Sequence, residues 1–206
     1  MEDLRSLNAN QLDALREVAN IGAGHAATAL SVMIGTTIMI SVPRINVARL
    51  EDMPPVVAAP DEPVAAVLLE MLGDLTGRTL LVFPKTVAVR LSEMLLRRPA
   101  GSTGHLGELE QSAIKEAGNI LSSAYMNALS DFMHMRLLPS PPSLAIDVST
   151  SVLSATHLKF GDERDYVFCV ESEFYMKGVS RPLRGYFLLI PDRASLAAML
   201  RAVRVT

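Results

Sequence analysis

Asp13-Ala14-Leu15-Arg16-Glu17-Val18-Ala19-Asn20-Ile21 returns 99 positions later as Ser112-Ala113-Ile114-Lys115-Glu116-Ala117-Gly118-Asn119-Ile120. The same offset carries Ala29-Leu30-Ser31 onto Ala128-Leu129-Ser130, and Pro43 onto Pro142. Seven identities fall in the 19 positions from 13 to 31, where chance would give about one or two. The chain therefore reads as a duplication. A second echo sets Gly77-Arg78-Thr79-Leu80-Leu81-Val82 against Gly185-Tyr186-Phe187-Leu188-Leu189-Ile190, now at an offset of 108, so the second half has gained residues in between.

The runs of the second echo are short, apolar and partly β-branched or aromatic, the composition of buried strands. Helical patterns follow each, Val87 to Leu96 and Arg193 to Val203, with Leu91, Met94 and Leu95 answering to Leu196, Met199 and Leu200. Proline and glycine punctuate the halves at Pro54-Pro55, Pro60, Pro63, Gly73, Gly77 and Pro84, then at Pro139, Pro141-Pro142, Gly178, Pro182 and Pro191. Each half thus runs helix, extended segments, strand, helix. The expected class is α+β: two pseudo-twofold-related halves sharing an antiparallel-rich β-sheet, with helices packed outside. Residues 1–206 form one domain made of two repeats, approximately 1–100 and 105–206, joined near Gly101-Ser102-Thr103-Gly104. Residues 143 to 157 are expected to be helical, with Leu144, Val148 and Val152 at spacing four, and without a counterpart in the first half.

Half of the 206 residues are hydrophobic, enough for a well-buried core. A single cysteine, Cys169, and an opening Met-Glu-Asp-Leu-Arg without the pattern of an export signal point to the cytoplasm. The net charge of −3, with no basic run beyond Arg97-Arg98, removes nucleic acid as a partner. Val18 to Val42 carries no formal charge, yet Asn20, Gly22, Gly24 and Gly35 resolve it into a helix, a Gly-Thr-Thr turn and a strand, so no membrane insertion is expected. His25, His105, His134 and His157 stand apart from one another and from ligand spacing, so no metal or cofactor of its own is expected. Gly22 and Gly24 lack the rest of a phosphate loop and are read as close helix packing or a local break.

On a helical wheel Asp13, Glu17 and Asn20 project from one narrow stripe, and so do Ser112, Glu116 and Asn119. Leu15, Val18, Ala14 and Ala19 occupy the core side, matched by Ile114, Ala117, Ala113 and Gly118, while Arg16 and Lys115 flank the stripe. A solvated face needs only some polar residue at each position, and asparagine is a poor helix former. Keeping Glu and mid-helix Asn in both copies is unexplained by folding alone. No Ser-His or Cys-His pair offers a nucleophile. A carboxamide both donates and accepts hydrogen bonds, which suits it to holding a water in line with phosphorus. Phosphoryl transfer rewards such positioning. The pair fits half of a phosphatase site whose metal and phosphate come from a partner.

These residues resemble the helix motif of the CheC/CheX/FliY family: Asp or Ser, three residues, Glu, two residues, Asn, then twenty-two residues and Pro. The motif is met twice, as Asp13, Glu17, Asn20, Pro43 and as Ser112, Glu116, Asn119, Pro142. Glu17-Val-Ala-Asn-Ile-Gly-Ala-Gly-His-Ala-Ala-Thr-Ala is likewise similar to the family's first helix. The resemblance implies a CheC-type phosphatase that hydrolyses the aspartyl phosphate of the chemotaxis response regulator CheY, which brings its own magnesium ion. Asn20 and Asn119 would orient water, Glu17 and Glu116 would pair with the receiver's lysine, and Asp13, Pro43, Ser112 and Pro142 would support the motif. It also implies a second partner, CheD, a chemoreceptor-modifying deamidase whose binding raises activity. Asp147, in the segment after Pro142 expected to be helical, is the candidate contact. The rival reading is a non-catalytic CheD-binding adaptor, or a CheY-binding protein associated with the flagellar switch.

Overall fold

The structure, a computed structural model, describes residues 9–59, 61–158, 166–176 and 182–205. Met1 to Arg5, Pro60 and Gly178, all used in reading the sequence, lie outside the described residues. The offset of 99 carries secondary structure as well as sequence. Helix α1 (Ala9–Ile34), strand β1 (Ile38–Ile40) and strand β2 (Arg44–Arg49) reappear, bound for bound, as α4 (Glu108–Met133), β5 (Leu137–Pro139) and β6 (Ser143–Val148).

Between β2 and the long strand β3 (Pro63–Gly73) lie a 3-10 turn (Leu50–Asp52) and the short helix α2 (Pro54–Val57). Their place in the second half is taken by α5 (Ser149–Leu158), ahead of β7 (Tyr166–Met176). Each half closes on a strand and a helix: β4 (Gly77–Pro84) with α3 (Lys85–Leu95), and β8 (Leu183–Pro191) with α6 (Arg193–Val205).

The two repeats share one eight-stranded antiparallel sheet, in the order β1-β7-β8-β4-β3-β5, with β2 also on β7 and β6 also on β3. Each repeat lends its edge strands to the other: β1 and β2 pair with β7, and β5 and β6 pair with β3. Neither half can therefore complete its sheet edge alone. The pseudo-twofold axis passes where β4 meets β8, because Leu80 and Leu188, equivalent in the second echo, are direct cross-strand partners.

A sheet with two apolar faces needs cover on both. Alternate strand residues Ala65, Val67, Leu69, Leu81, Phe83, Val170, Phe187 and Leu189 pack beneath α1, α3, α4 and α6. The opposite residues, among them Val64, Ala66, Leu80, Val82, Cys169 and Leu188, pack against Leu50, Met53, Val57, Val152 and Leu153 from the 3-10 turn, α2 and α5. Helices thus lie outside the sheet as expected, but the long ones all share one face. Burial pushes the Cys169 thiol up to about 12, with Glu171 adding to the shift, so this cysteine stays protonated and unreactive.

Residues 143 to 157 are corrected by the structure. The first six form strand β6, paired to β3 from Ser143 opposite Leu68 to Val148 opposite Pro63, and only Ser149–Leu158 is helical. The segment also has a counterpart, since β6 is the repeat of β2. Leu144 and Val148 fit a helical spacing, yet Leu144, Ile146 and Val148 alternate equally well, and the open edge of β3 decides between the two periods.

The segment from 96 to 107 connects α3 to α4 and is held by two glutamates. Glu93, 1 % exposed, accepts the Thr103 backbone N–H at 2.9 Å and an Arg90 guanidinium bond at 3.0 Å. Glu110 pairs with Arg98. Burial alone would raise the Glu93 pKa, but backbone N–H groups of Thr103 and Gly101, together with Arg90, outweigh it and hold the carboxyl below its ordinary value. A lowered carboxylate pKa contributes stability that is complete above the ordinary carboxylate range and is lost as pH falls through the folded-state value. Glu93→Gln is expected to lose about 1–2 kcal/mol near neutral pH and to show a flatter loss of stability on acidification than wild type. Urea unfolding at about pH 7 and about pH 4 reads both; an equally steep acid dependence in the variant would remove Glu93 as its source.

Candidate functional site

Helices α1 and α4 form one layer, and the twofold that relates them, perpendicular to their shared sheet, makes them antiparallel. They pack tightly at Gly22, where an added β-carbon would lie 2.6 Å from the Tyr125 ring and 3.1 Å from its Cα. Close packing is thus the right reading for Gly22. It is not so for Gly24, and α1 runs through both glycines without a break. Tyr125 reaches down to the sheet, stacking on Phe187 with centroids 4.6 Å apart and bonding Ser172 through its hydroxyl at 2.9 Å. Burial pushes its phenol up to about 12, against the opposing effect of the Ser172 bond.

With those faces buried, the stripe of each helix points outward. Asp13 and Glu17 are exposed and Asn20 half-buried; Ser112 and Glu116 are exposed and Asn119 half-buried. Leu15, Val18 and Ala19 are buried beneath them, as are Ile114, Ala117 and Gly118, while Ala14 and Ala113 sit at the boundary. The helical repeat puts Glu one turn before Asn on one face in both copies.

The prolines stand elsewhere. Pro43 is buried in the break between β1 and β2, and Pro142 is half-buried between β5 and β6. Beside each break a serine bonds to the neighbouring long strand in both directions. Ser41 N–H donates to the Glu173 carbonyl and its hydroxyl accepts the Glu173 N–H; Ser140 does the same with Glu70. Asp147 is exposed on the edge strand β6, where its carboxylate accepts the N–H of Val148 at 2.7 Å.

Repeated residues now separate into two kinds. Ser31 ends α1: its carbonyl accepts the Gly35 N–H at 2.9 Å and its hydroxyl accepts the Ile38 N–H at 2.8 Å, tying β1 to the helix. Its counterpart Ser130 ends α4, with its carbonyl accepting the His134 and Met135 N–H groups and its hydroxyl donating to the Met135 carbonyl. Gly35 and His134, also equivalent, both turn into the left-handed region, at φ 75° and 53°, as a helix C-terminus requires. The Ser31/Ser130 and Ser41/Ser140 identities are thus explained by folding, a role that sequence reasoning missed. The side chains of Glu17, Asn20, Glu116 and Asn119, in contrast, make no hydrogen bond or ion pair among the described residues.

The copies differ at their flanks. Arg16 is bridged to Asp13 at 2.5 Å, an exposed pair that neutralises both charges locally. Ser112 replaces that aspartate and Lys115 that arginine, and among the described residues Lys115 has no acidic partner.

A family described as CheC-like matches residues 11–47 and 109–146, the segments running from each site helix through its edge strand. The chain is 29 % identical over 205 residues to the CheY-P phosphatase CheC of Bacillus subtilis (strain 168), covering 98 % of both chains. It is 26 % identical over 148 residues to the flagellar motor switch phosphatase FliY of the same organism, covering 70 % of this chain and 38 % of that longer one. Its fold matches that of Thermotoga maritima FliY, with a TM-score of 0.81, 22 % identity, and coverage of 97 % of this chain and 98 % of that one.

Proposed function

Because two equivalent segments of this chain match the CheC-like family and its length is 29 % identical to a CheY-P phosphatase, we propose that it hydrolyses the aspartyl phosphate of the chemotaxis response regulator CheY, at one site on α1 and an equivalent one on α4. The observation that carries this reading is the repeated Glu and Asn whose side chains have no partner among the described residues, next to repeated serines whose bonds explain them. An amide or carboxylate with no internal work is available to a partner.

Hydrolysis of an acyl phosphate needs a water held in line rather than a strong base. Asn20 or Asn119 reaches the phosphoryl group and both donates to and accepts from that water. The water oxygen bonds to phosphorus while the bond from phosphorus to the aspartyl oxygen breaks. The carboxylate leaves with that electron pair, and both hydrogens of the water depart on the phosphate. Glu17 or Glu116, one turn away, pairs with the receiver's lysine and fixes the docking. Magnesium travels with CheY. Asp13 and Ser112 contact the receiver peripherally, and Pro43 and Pro142 shape the backbone of the edge strands.

Phosphate release from phosphorylated CheY, with and without this protein, tests the reading, beside a small acyl phosphate as control. Acceleration with CheY alone is expected; no acceleration, even with CheD present, would favour an adaptor. For CheD we propose the outer edge of β6, a strand rather than the expected helix. Asp147→Lys, reversing an exposed charge there, is expected to abolish co-elution with CheD and its stimulation of turnover. Unchanged co-elution would move the contact elsewhere.

A further inference from the structure

Gly24 stands one turn after Asn20, on the exposed side of α1. Only proline is less favourable than glycine inside a helix, so a glycine there calls for a reason. Packing gives none: a β-carbon at Gly24 would meet nothing within 4 Å. Backbone conformation gives none either, because Gly24 is helical and is absent from the glycines with positive φ. Gly22, two residues earlier, is explained by Tyr125; Gly24 is explained by nothing among the described residues. The Thr28 hydroxyl donates back to the Gly24 carbonyl at 3.0 Å, while the space at the Gly24 Cα stays open beside the site.

Ile21 adds to this. It follows Asn20 and is 44 % exposed, whereas its counterpart Ile120 packs against the core. The counterpart of Gly24 is Ser123, which is half-buried. An apolar side chain and a gap without a side chain thus adjoin Asn20 on one continuous face. A protein surface fits such a face: its backbone can come close where no side chain intervenes, and Ile21 gives it an apolar contact.

Resting on the phosphatase reading above, we propose that Gly24 is a clearance and specificity residue of the α1 site. The phosphorylated receiver lies against bare helix at Gly24, with Ile21 beside it, when Asn20 reaches the phosphate. The α4 site, with Ser123 and a packed Ile120, lacks this clearance, so the two sites recognise the receiver unequally.

The test uses Asn119→Ala as parent, so that only the α1 site turns over, and adds Gly24→Ala or Gly24→Leu. KM and kcat for CheY-P are measured together with the melting temperature. Gly24→Ala is expected to raise the melting temperature, since alanine is the better helix former and has room, and yet to raise KM about threefold. Gly24→Leu is expected to raise KM about tenfold or more with kcat within about twofold. A parental KM for Gly24→Leu would overturn the proposal, and so would a lower melting temperature for Gly24→Ala, which would give the glycine a folding role. An inactive parent beside an active wild type would remove the α1 site and the proposal with it, whereas an inactive wild type would instead overturn the phosphatase reading on which the proposal rests.

Discussion

Replacing Asn20 and Asn119 together by alanine is expected to return CheY-P hydrolysis to its spontaneous rate, a loss of about a hundredfold or more in the catalysed rate, with the fold intact. Two physical points set the expectation. Neither amide bonds to another described residue, so removing it leaves no orphaned donor or acceptor, the usual source of large losses in stability. Both lie within long helices, where alanine is the more favourable residue. The melting temperature should therefore hold or rise slightly while turnover disappears. Each single variant should keep the activity of the other site. Circular dichroism melts beside phosphate release separate the outcomes: an active double variant would falsify the proposed chemistry, and a destabilised one would make the asparagines structural.

The repeat made much of this architecture legible. Identity at an offset of 99 implied duplicated helices, and the 3.6-residue period separated Leu15, Val18 and Ala19 from the stripe of Glu17 and Asn20, as burial shows. Two features were hidden for a common reason, since both depend on partners distant in sequence. Strand β6 looked helical because its pairing with β3 is about 80 residues away, although the offset of 99 already aligned it with β2. The exchange of edge strands is silent in sequence, because β1 and β2 would pair as well with their own repeat as with β7 by pattern alone. The candidate site was read from residue type and helical spacing, a carboxylate and a carboxamide one turn apart, and not from repetition alone. Ser31 and Glu17 are equally repeated, and their bonding shows that the serine is kept by the fold.

Gly118→Val should separate the two sites from each other. Gly118 is the counterpart of Ala19, but α4 lies so close to the sheet that even a β-carbon there would be 2.6 Å from both Cβ and Cγ1 of Val67 and 2.7 Å from Cγ2. Val67 cannot retreat, since it is fully buried mid-strand between Leu81 of β4 and Leu144 of β6. Valine at 118 must therefore lift α4 off β3, at a cost of about 1–3 kcal/mol for overpacking. For a chain of this length that corresponds to a fall in melting temperature of about 3–10 °C. Asn119 is the next residue and moves with the helix, whereas Asn20 sits on the other helix of the layer. With Asn20→Ala as parent, so that only the α4 site works, Gly118→Val should cost about tenfold or more in kcat/KM. With Asn119→Ala as parent the same change should cost far less. Adding Val67→Ala removes both Cγ contacts and should recover part of the melting temperature. A wild-type melting temperature for Gly118→Val would mean that α4 has slack against the sheet, and equal losses at both sites would mean that the helices of the layer move as one body.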